Sequence, residues 1–296
     1  MSRHPDRFTG ATVEAARRAL TSRFRAGSIE SAELDARTLV GAVLGLDLTG
    51  LIAAAGRPLA PEEASRIEEF AQRRCGGEPV ARIVGGREFW GLPFQLSAAT
   101  LVPRPDTEAV VELALEMLRG IAPAQQSRIA DLGTGSGAIL LALLSELPDC
   151  YGVGTDISAA ALRVARTNAV NLGLAGRAGF VACCYATALS GRFDLIVSNP
   201  PYIRSADIAE LATEVREHDP VDALDGGADG LDGYRTLIPQ ATALLADRGA
   251  LVVEVGYAQS RDVQQLMSAA GLAADRPAKS DLAGVERAVA GRKLPP

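Results

Sequence analysis

From Arg128 onward, short apolar runs rich in β-formers alternate with stretches of helical period, and this alternation restricts the fold to an α/β sheet. Strands are expected near 128–132, 151–156, 178–183, 193–198 and 250–255, with helices near 138–147, 159–172, 234–246 and 260–270. Weaker strand signals lie near 272–278 and 285–290. Gly226-Gly227 and Asp229-Gly230 mark a long loop, a plausible lid.

The first strand runs into Asp131-Leu132-Gly133-Thr134-Gly135-Ser136-Gly137 and then a helix. Glycines let a backbone turn tightly and approach a ligand closely. Asp131, just before them, is suited to an ammonium group. The second strand ends at Asp156, where an acid can accept both hydroxyls of a ribose; a helix-capping role is the plainer alternative. Gly-x-Gly-x-Gly behind an acid fits S-adenosylmethionine better than the Gly-x-Gly-x-x-Gly spacing that serves a pyrophosphate. The third strand leads to Cys183-Cys184-Tyr185. Tyr185 either lies against the adenine or is an ordinary half-buried tyrosine.

Phe193 to Val197 reads as a buried strand, and it ends abruptly in Asn199-Pro200-Pro201-Tyr202. Two prolines fix φ near −65° and remove backbone donors, so the turn is stiff, and Asn199 is pushed towards an extended conformation. The Asn199 side-chain oxygen and the Pro200 carbonyl can accept the two hydrogens of a conjugated NH₂ group. Its nitrogen is a poor nucleophile until that happens. Tyr202 can cover the planar group, with Pro201 completing the wall. A proline-rich loop after a core strand is the bland alternative. The serine and asparagine in front, the tyrosine behind and the glycine loop upstream favour the chemical one.

Composition narrows the classes. The chain has 296 residues, 48% of them hydrophobic, enough for two packed domains. No apolar run approaches the ~18 residues that span a bilayer, and Met1 to Gly10 has no apolar leader core. The cysteines, Cys75, Cys150, Cys183 and Cys184, form no Cys-x-x-Cys pair, and the histidines are only His4 and His218. Reduced thiols, a cytoplasmic setting and no metal are expected. Net charge is −6, and the only lysines are Lys279 and Lys293, which disfavours a stable nucleic-acid partner.

Before the sheet, residues 11 to 75 carry helical stripes: Val13, Ala16, Leu20 and Phe24; then Ala36, Leu39, Val40, Val43 and Leu44 after a cap at Ser31. A short helix over Leu48 to Ala54 follows, and Pro61 opens a fourth with Ala64, Ile67, Phe70 and Ala71 inward. Arg87 to Leu96 reads as a hairpin holding the only tryptophan. Asp106 or Thr107 is expected to cap a helix over Glu108 to Leu118. Arg104, between prolines, faces a ligand or pairs with a carboxylate.

Together these motifs resemble the release-factor glutamine methyltransferase (HemK/PrmC) family, from about Ser31 to Arg292. The most specific parts are Arg104-Pro105-Asp106-Thr107-Glu108 and the acidic segment Glu214 to Pro220; Gly86 to Gly91, Gly230 to Tyr234 and Gly284 to Arg287 add to them. The resemblance implies a seven-stranded methyltransferase sheet behind a helical domain, S-adenosylmethionine as cofactor, and methylation of the glutamine amide in the Gly-Gly-Gln motif of class I peptide release factors. It also implies that Gly133 to Gly137, Asp156 and Tyr185 hold the cofactor and Asn199 to Tyr202 the glutamine. One position departs: the family usually has an acid where this chain has Cys184, and a thiol is a weak partner for an adenine amine.

The expected architecture is a mostly parallel Rossmann-like sheet with a small N-terminal helical bundle and a connecting hairpin. Residues 1–77 form the helical, substrate-docking domain, 78–105 the hairpin linker and 106–296 the methyltransferase domain. The competing activities are methylation of an exocyclic amine of adenine or cytosine, and cofactor binding without catalysis.

Overall fold

The computed structural model describes residues 8–119, 127–274 and 276–295, so His4 and most of Met1 to Gly10 lie outside the described residues. The chain divides into two compact units, one ending at Gly85 and the other starting at Gly86.

The first unit is helical. α1 (Val13–Ala26) starts where the Thr12 hydroxyl accepts from the Ala15 amide, and it buries Val13, Ala16, Leu20 and Phe24. α2 (Ala32–Leu44) stops at Gly45 in the left-handed region. Ser31 occupies its N-cap position, but the hydroxyl donates to Asp35 at 2.8 Å instead of accepting from a backbone amide. α3 (Leu48–Ala53) is capped by Asp47, and α4 (Pro61–Cys75) opens on Pro61. A fifth helix, α5 (Val80–Val84), is too short for periodicity to reveal. Its Ile83 is buried in the core of α1 to α4, which is why the unit closes at Gly85 and not at residue 77.

The second unit opens with the hairpin β1 (Gly86–Phe89) and β2 (Leu92–Gln95), paired Phe89 to Leu92. Trp90 and Gly91 both have positive φ, the conformation of a type I′ turn, whose twist matches the strands. Phe89 and Phe94 pack edge to face with ring centroids 6.2 Å apart, and both belong to the core of this unit. A 3-10 turn over Pro105–Thr107 leads into α6 (Glu108–Arg119). It replaces the expected side-chain cap: Asp106 pairs with Arg287 at 3.0 Å, and Thr107 is buried facing Asn199.

The remaining elements, in chain order, are β3 (Arg128–Leu132), α7 (Ala138–Glu146), β4 (Tyr151–Asp156), α8 (Ala159–Asn171), β5 (Ala178–Ala182), β6 (Phe193–Ser198), α9 (Thr213–Arg216), α10 (Asp232–Leu244), β7 (Leu245–Glu254), α11 (Ser260–Ala269), β8 (Leu272–Ala273), β9 (Lys279–Ser280) and β10 (Glu286–Lys293). The sheet order is β5-β4-β3-β6-β7-β10-β8, parallel from β5 to β7 and antiparallel where β10 joins β7. Those seven strands match the implied number. The two-residue β9, paired to β10, is an eighth, and the signal near 272–278 resolves into β8 alone.

Alternate residues of the central strands feed two cores. Ile129, Leu195, Val197 and Val252 pack against α6 and α7. Ala130, Leu132, Ile196, Leu251 and Val253 pack against α10 and α11. Burial on both faces is what turns these strands into near-continuous apolar runs. Among the described residues, no helix is long and apolar enough to cross a membrane.

In the helical unit, the Arg74 guanidinium meets Asp35 at 2.6 Å, both side chains being buried. Removing one partner strands a charge away from water. Asp35→Ala is expected to destabilise the helical unit by about 3 kcal/mol, read as a lowered urea midpoint; an unchanged midpoint contradicts it.

Candidate active site

β3 lies between β4 and β6, so the direction of strand progression reverses at β3, and the loops leaving β3 and β6 open a crevice there. Gly133 and Gly135 adopt φ of +76° and +56°, and an added Cβ at either meets nothing within 4 Å. The loop therefore offers bare backbone to open space. Thr155 O accepts from the Gly133 and Thr134 amides at 2.9 and 2.8 Å, which holds the loop against β4. Asp156 fastens it further: one carboxylate oxygen accepts from the Gly135 amide and the other from the Ser158 amide. It thus holds both the loop and Ser158, whose hydroxyl caps α8, while its half-exposed carboxylate still lines the crevice.

A cavity of about 430 Å³ fills the crevice. Of the anticipated residues, Gly133, Thr134, Gly135, Ser136 and Asp156 line it, as do Asn199, Pro200 and Pro201 of the turn and Tyr185, which meets Pro200 around Gly233. Asp131, Gly137 and Tyr202 do not line it. Asp131 sits beneath the loop, 1% exposed, where the Thr134 hydroxyl donates to Oδ2 at 2.6 Å. Its Oδ1 has no partner among the described residues. Burial pushes this carboxyl up to about 7, against the lowering effect of Thr134. Gly137 packs under the loop, where a Cβ would press on Leu141 at 3.1 Å.

Tyr185 takes a left-handed φ of 49°, and burial pushes its phenol up to about 12. Cys184 is exposed on the cavity wall, while the Cys183 thiol donates to Tyr185 O at 3.2 Å.

The second wall begins where β6 ends. The Ser198 hydroxyl donates to Leu132 O at 2.6 Å, tying the end of β6 to the end of β3. Asn199 Nδ2 donates to Thr107 Oγ1 at a long 3.4 Å, which leaves the Asn199 side-chain oxygen as its acceptor. Tyr202 lies behind the turn: its hydroxyl donates to Glu254 Oε1 at 3.3 Å, and its carbonyl accepts from Gln259 Nε2 at 3.0 Å. Burial raises the Tyr202 phenol, with the nearby Glu254 adding to the effect.

Glu254 and Gln259 went unrecognised in the sequence, and Thr107 was read there only as a helix cap. Glu254 carried a signal, because it closes an apolar strand as Asp156 does. Arg104 takes the plainer of its two expected roles and pairs with buried Asp219 at 3.5 Å. The loop anticipated as a lid is fastened down: the Gly226 amide donates to Ile203 O, the Ser205 amide to Gly227 O, and Gln259 Nε2 to Gly230 O. On that side Pro220, Asp222 and Ala223 complete the cavity.

Residues 110–218 match the family described as "Methyltransferase small domain" and residues 15–85 the "PrmC N-terminal domain". A crystal structure of a methyltransferase from Pyrococcus furiosus shares the fold, with a TM-score of 0.51 at 15% identity over 77% of this chain and 100% of that one. The sheet, its crevice and these matches define a methyltransferase. The chain is 65% identical over 291 residues to the release factor glutamine methyltransferase of Bradyrhizobium diazoefficiens, covering 98% of each, and 50% identical to that of Rhodospirillum rubrum, covering 93% of this chain and 84% of the relative. It belongs to the release factor glutamine methyltransferase family.

A charged acceptor in a partly desolvated site contributes about 1.5–3 kcal/mol. Asp156→Ala is therefore expected to weaken S-adenosylmethionine binding by roughly 10- to 100-fold by calorimetry; unchanged affinity removes Asp156 from the cofactor site.

Proposed function

We propose that the chain methylates the side-chain amide nitrogen of the glutamine in the Gly-Gly-Gln motif of class I peptide release factors, in the cytoplasm. The observation that carries this reading is the shared cavity: bare glycine backbone and Asp156 on one wall, Asn199 and Pro200 on the other. S-adenosylmethionine, when bound, supplies an electrophilic methyl group on a sulfonium. Gly133, Thr134, Gly135, Ser136, Asp156 and Tyr185 would hold it, with Asp131 and Gly137 shaping the loop from below. Cys184, exposed on the same wall, offers the adenine only a weak partner.

The rest of the chemistry belongs to the turn. An amide nitrogen is a poor nucleophile because its lone pair is delocalised into the carbonyl. In this reading the Asn199 side-chain oxygen and the Pro200 carbonyl each accept one of its hydrogens and favour a pyramidal nitrogen. Stiff prolines keep both acceptors in place before substrate arrives, so little reorganisation is needed. Pro201 and Tyr202 back the turn. Held so, the nitrogen would take the methyl group that the cofactor supplies as its carbon–sulfur bond breaks to leave a neutral thioether, and the proton shed by the methylated nitrogen would leave to water. Methylation of an adenine or cytosine amine is not favoured, since the curated relatives are named for release factor glutamine.

The helical unit supplies the docking surface for the protein substrate. Leu48 and Ile52, one turn apart on α3, are 53% and 69% exposed. Replacing both with serine is expected to raise KM for release factor several-fold while leaving cofactor affinity unchanged; an unaltered KM removes α3 from the docking surface.

Asn199→Ala removes one acceptor and is expected to slow single-turnover transfer to release factor by about 10²–10³, with a much smaller effect on cofactor binding. Asn199→Asp keeps an acceptor and should lose less. An alanine variant as fast as wild type refutes the role of Asn199, and labelling of nucleic acid alone refutes the glutamine assignment.

A further inference from the structure

Of the two acceptors on the turn, the Asn199 oxygen belongs to a side chain and the Pro200 carbonyl to the backbone. The direction of a backbone carbonyl is set by the torsions on either side of it. Proline rings lock φ, but each peptide plane can still swing about ψ. Neither proline has an amide to donate. The sheet holds the chain up to Ser198, and Ile203 is held again, its amide donating to Leu224 O at 3.0 Å. The stretch between them needs a tie of another kind.

We propose that Gln259 is a positioning residue for methyl transfer: its side-chain amide clamps the Tyr202 carbonyl and so keeps the Pro200 carbonyl directed at the substrate NH₂. This inference rests on the function proposed above. Gln259 Nε2 donates to Tyr202 O at 3.0 Å and to Gly230 O at 3.3 Å, while Oε1 accepts from the Gly256 amide at 3.0 Å. All three contacts agree on one orientation. A flipped amide would set its oxygen against two carbonyls and its NH₂ against an N–H. With φ locked at both prolines and Tyr202 O pinned, the Pro200 carbonyl cannot swing without breaking the clamp.

The chain gives up local stability to make this contact. A Cβ on Gly230 would stand 2.4 Å from Tyr202 O and 2.6 Å from Gln259 Nε2. One on Gly256 would stand 2.7 Å from Gln259 Oε1 and 2.9 Å from the Tyr202 ring. Only bare backbone at both positions admits the amide. The corner from Gly256 to Gln259 closes on itself, the Gln259 amide donating to Gly256 O at 3.2 Å, and it drives Ala258 to a left-handed φ of 61°. That conformation is strained for a residue with a Cβ. Tyr257 and Ala258, at the middle of the corner, are both exposed, so burial does not offset the strain. What the corner achieves is the placement of Gln259. Gln259 also occupies the N-cap position of α11, yet its side chain makes no capping bond. A serine, threonine, aspartate or asparagine there would stabilise the helix better. The side chain is turned back to the proline turn instead.

The test uses the full chain with release factor and S-adenosylmethionine. Gln259→Leu keeps the volume and removes the donors. It is expected to slow single-turnover transfer roughly 10-fold, with cofactor affinity by calorimetry within about twofold of wild type. Gln259→Glu supplies a readout that packing alone would not move. Ionised, the introduced carboxylate only accepts, and it faces two carbonyl oxygens; protonated, it donates to Tyr202 O and still accepts from the Gly256 amide. Those carbonyls hold its proton to a higher pH than in a free glutamate. The rate of Q259E relative to wild type is therefore expected to rise several-fold between about pH 8 and about pH 5.5, while that of Q259L stays level. A Q259L as fast as wild type, or a Q259E ratio that does not change with pH, overturns the role of Gln259. The Q259E ratio decides even where Q259L loses cofactor affinity. The proposed role of the acceptor turn fails separately, if Asn199→Ala transfers at the wild-type rate.

Discussion

Everything at the site depends on β3 and β6 ending side by side. Leu132 and Ser198 are register partners, and the buried Ser198 hydroxyl fastens them at 2.6 Å. The glycine loop and the Asn-Pro-Pro-Tyr turn therefore start at the same height on the same edge. The register is enforced from both faces, since Ile129 and Leu195 belong to one core and Ala130 and Ile196 to the other. A slip of one residue would exchange these sets and set the faces against the wrong helices. The placement of a donor loop opposite an acceptor turn is thus secured by apolar packing far larger in energy than any contact in the cavity.

Three acids stand at the carboxyl ends of three strands of this sheet, and their surroundings separate their roles. Asp156 stays half-exposed, with both oxygens engaged by backbone amides and still open to the cavity. Asp131 and Glu254 are both sealed from solvent, each with one oxygen lacking a partner and each driven up to about 7 by burial. A buried carboxylate with an unmet oxygen is costly, so neither is there for stability. Each has instead a hydroxyl turned inward: Thr134 onto Asp131, and Tyr202 onto Glu254. Those hydroxyls belong to the glycine loop and to the frame of the proline turn. The same device, a strand-end acid that orders a neighbouring hydroxyl, is used beneath both walls.

The parts of the fold that were legible in the sequence are those where periodicity is strong. The four longer segments of the helical unit and four of the five parallel strands fall close to the ranges that apolar spacing predicts, while β7 starts at Leu245, five residues early. That Asn199, Pro200, Asp156 and the first glycines would share one cavity was legible because strand ends are marked locally, by a few consecutive residues. The short helix Val80–Val84 was not, since five residues hold barely one turn of pattern. Tyr202 was read as a cover over the substrate, whereas it lies outside the cavity lining with its hydroxyl on Glu254. Glu254 itself comes fifty-two residues after Tyr202, and Asn199 meets Thr107 across ninety-two. No local pattern encodes such meetings.

Prolines stiffen the turn but also deprive it of backbone donors, so it cannot be anchored as a strand is. Its ties are side chains from distant segments. Gln259, which accepts from the Gly256 amide at 3.0 Å, donates to the Tyr202 carbonyl and to Gly230, joining the end of the turn to the loop beside it. Arg287, on β10, holds Asp106, next to Thr107. The segments around Arg104 to Glu108, Glu254 to Gln259 and Val285 to Arg287 carry no chemistry of their own in this reading. Their shared work is to give a rigid but unanchored turn one position, and only then do two acceptors on it face the same nitrogen.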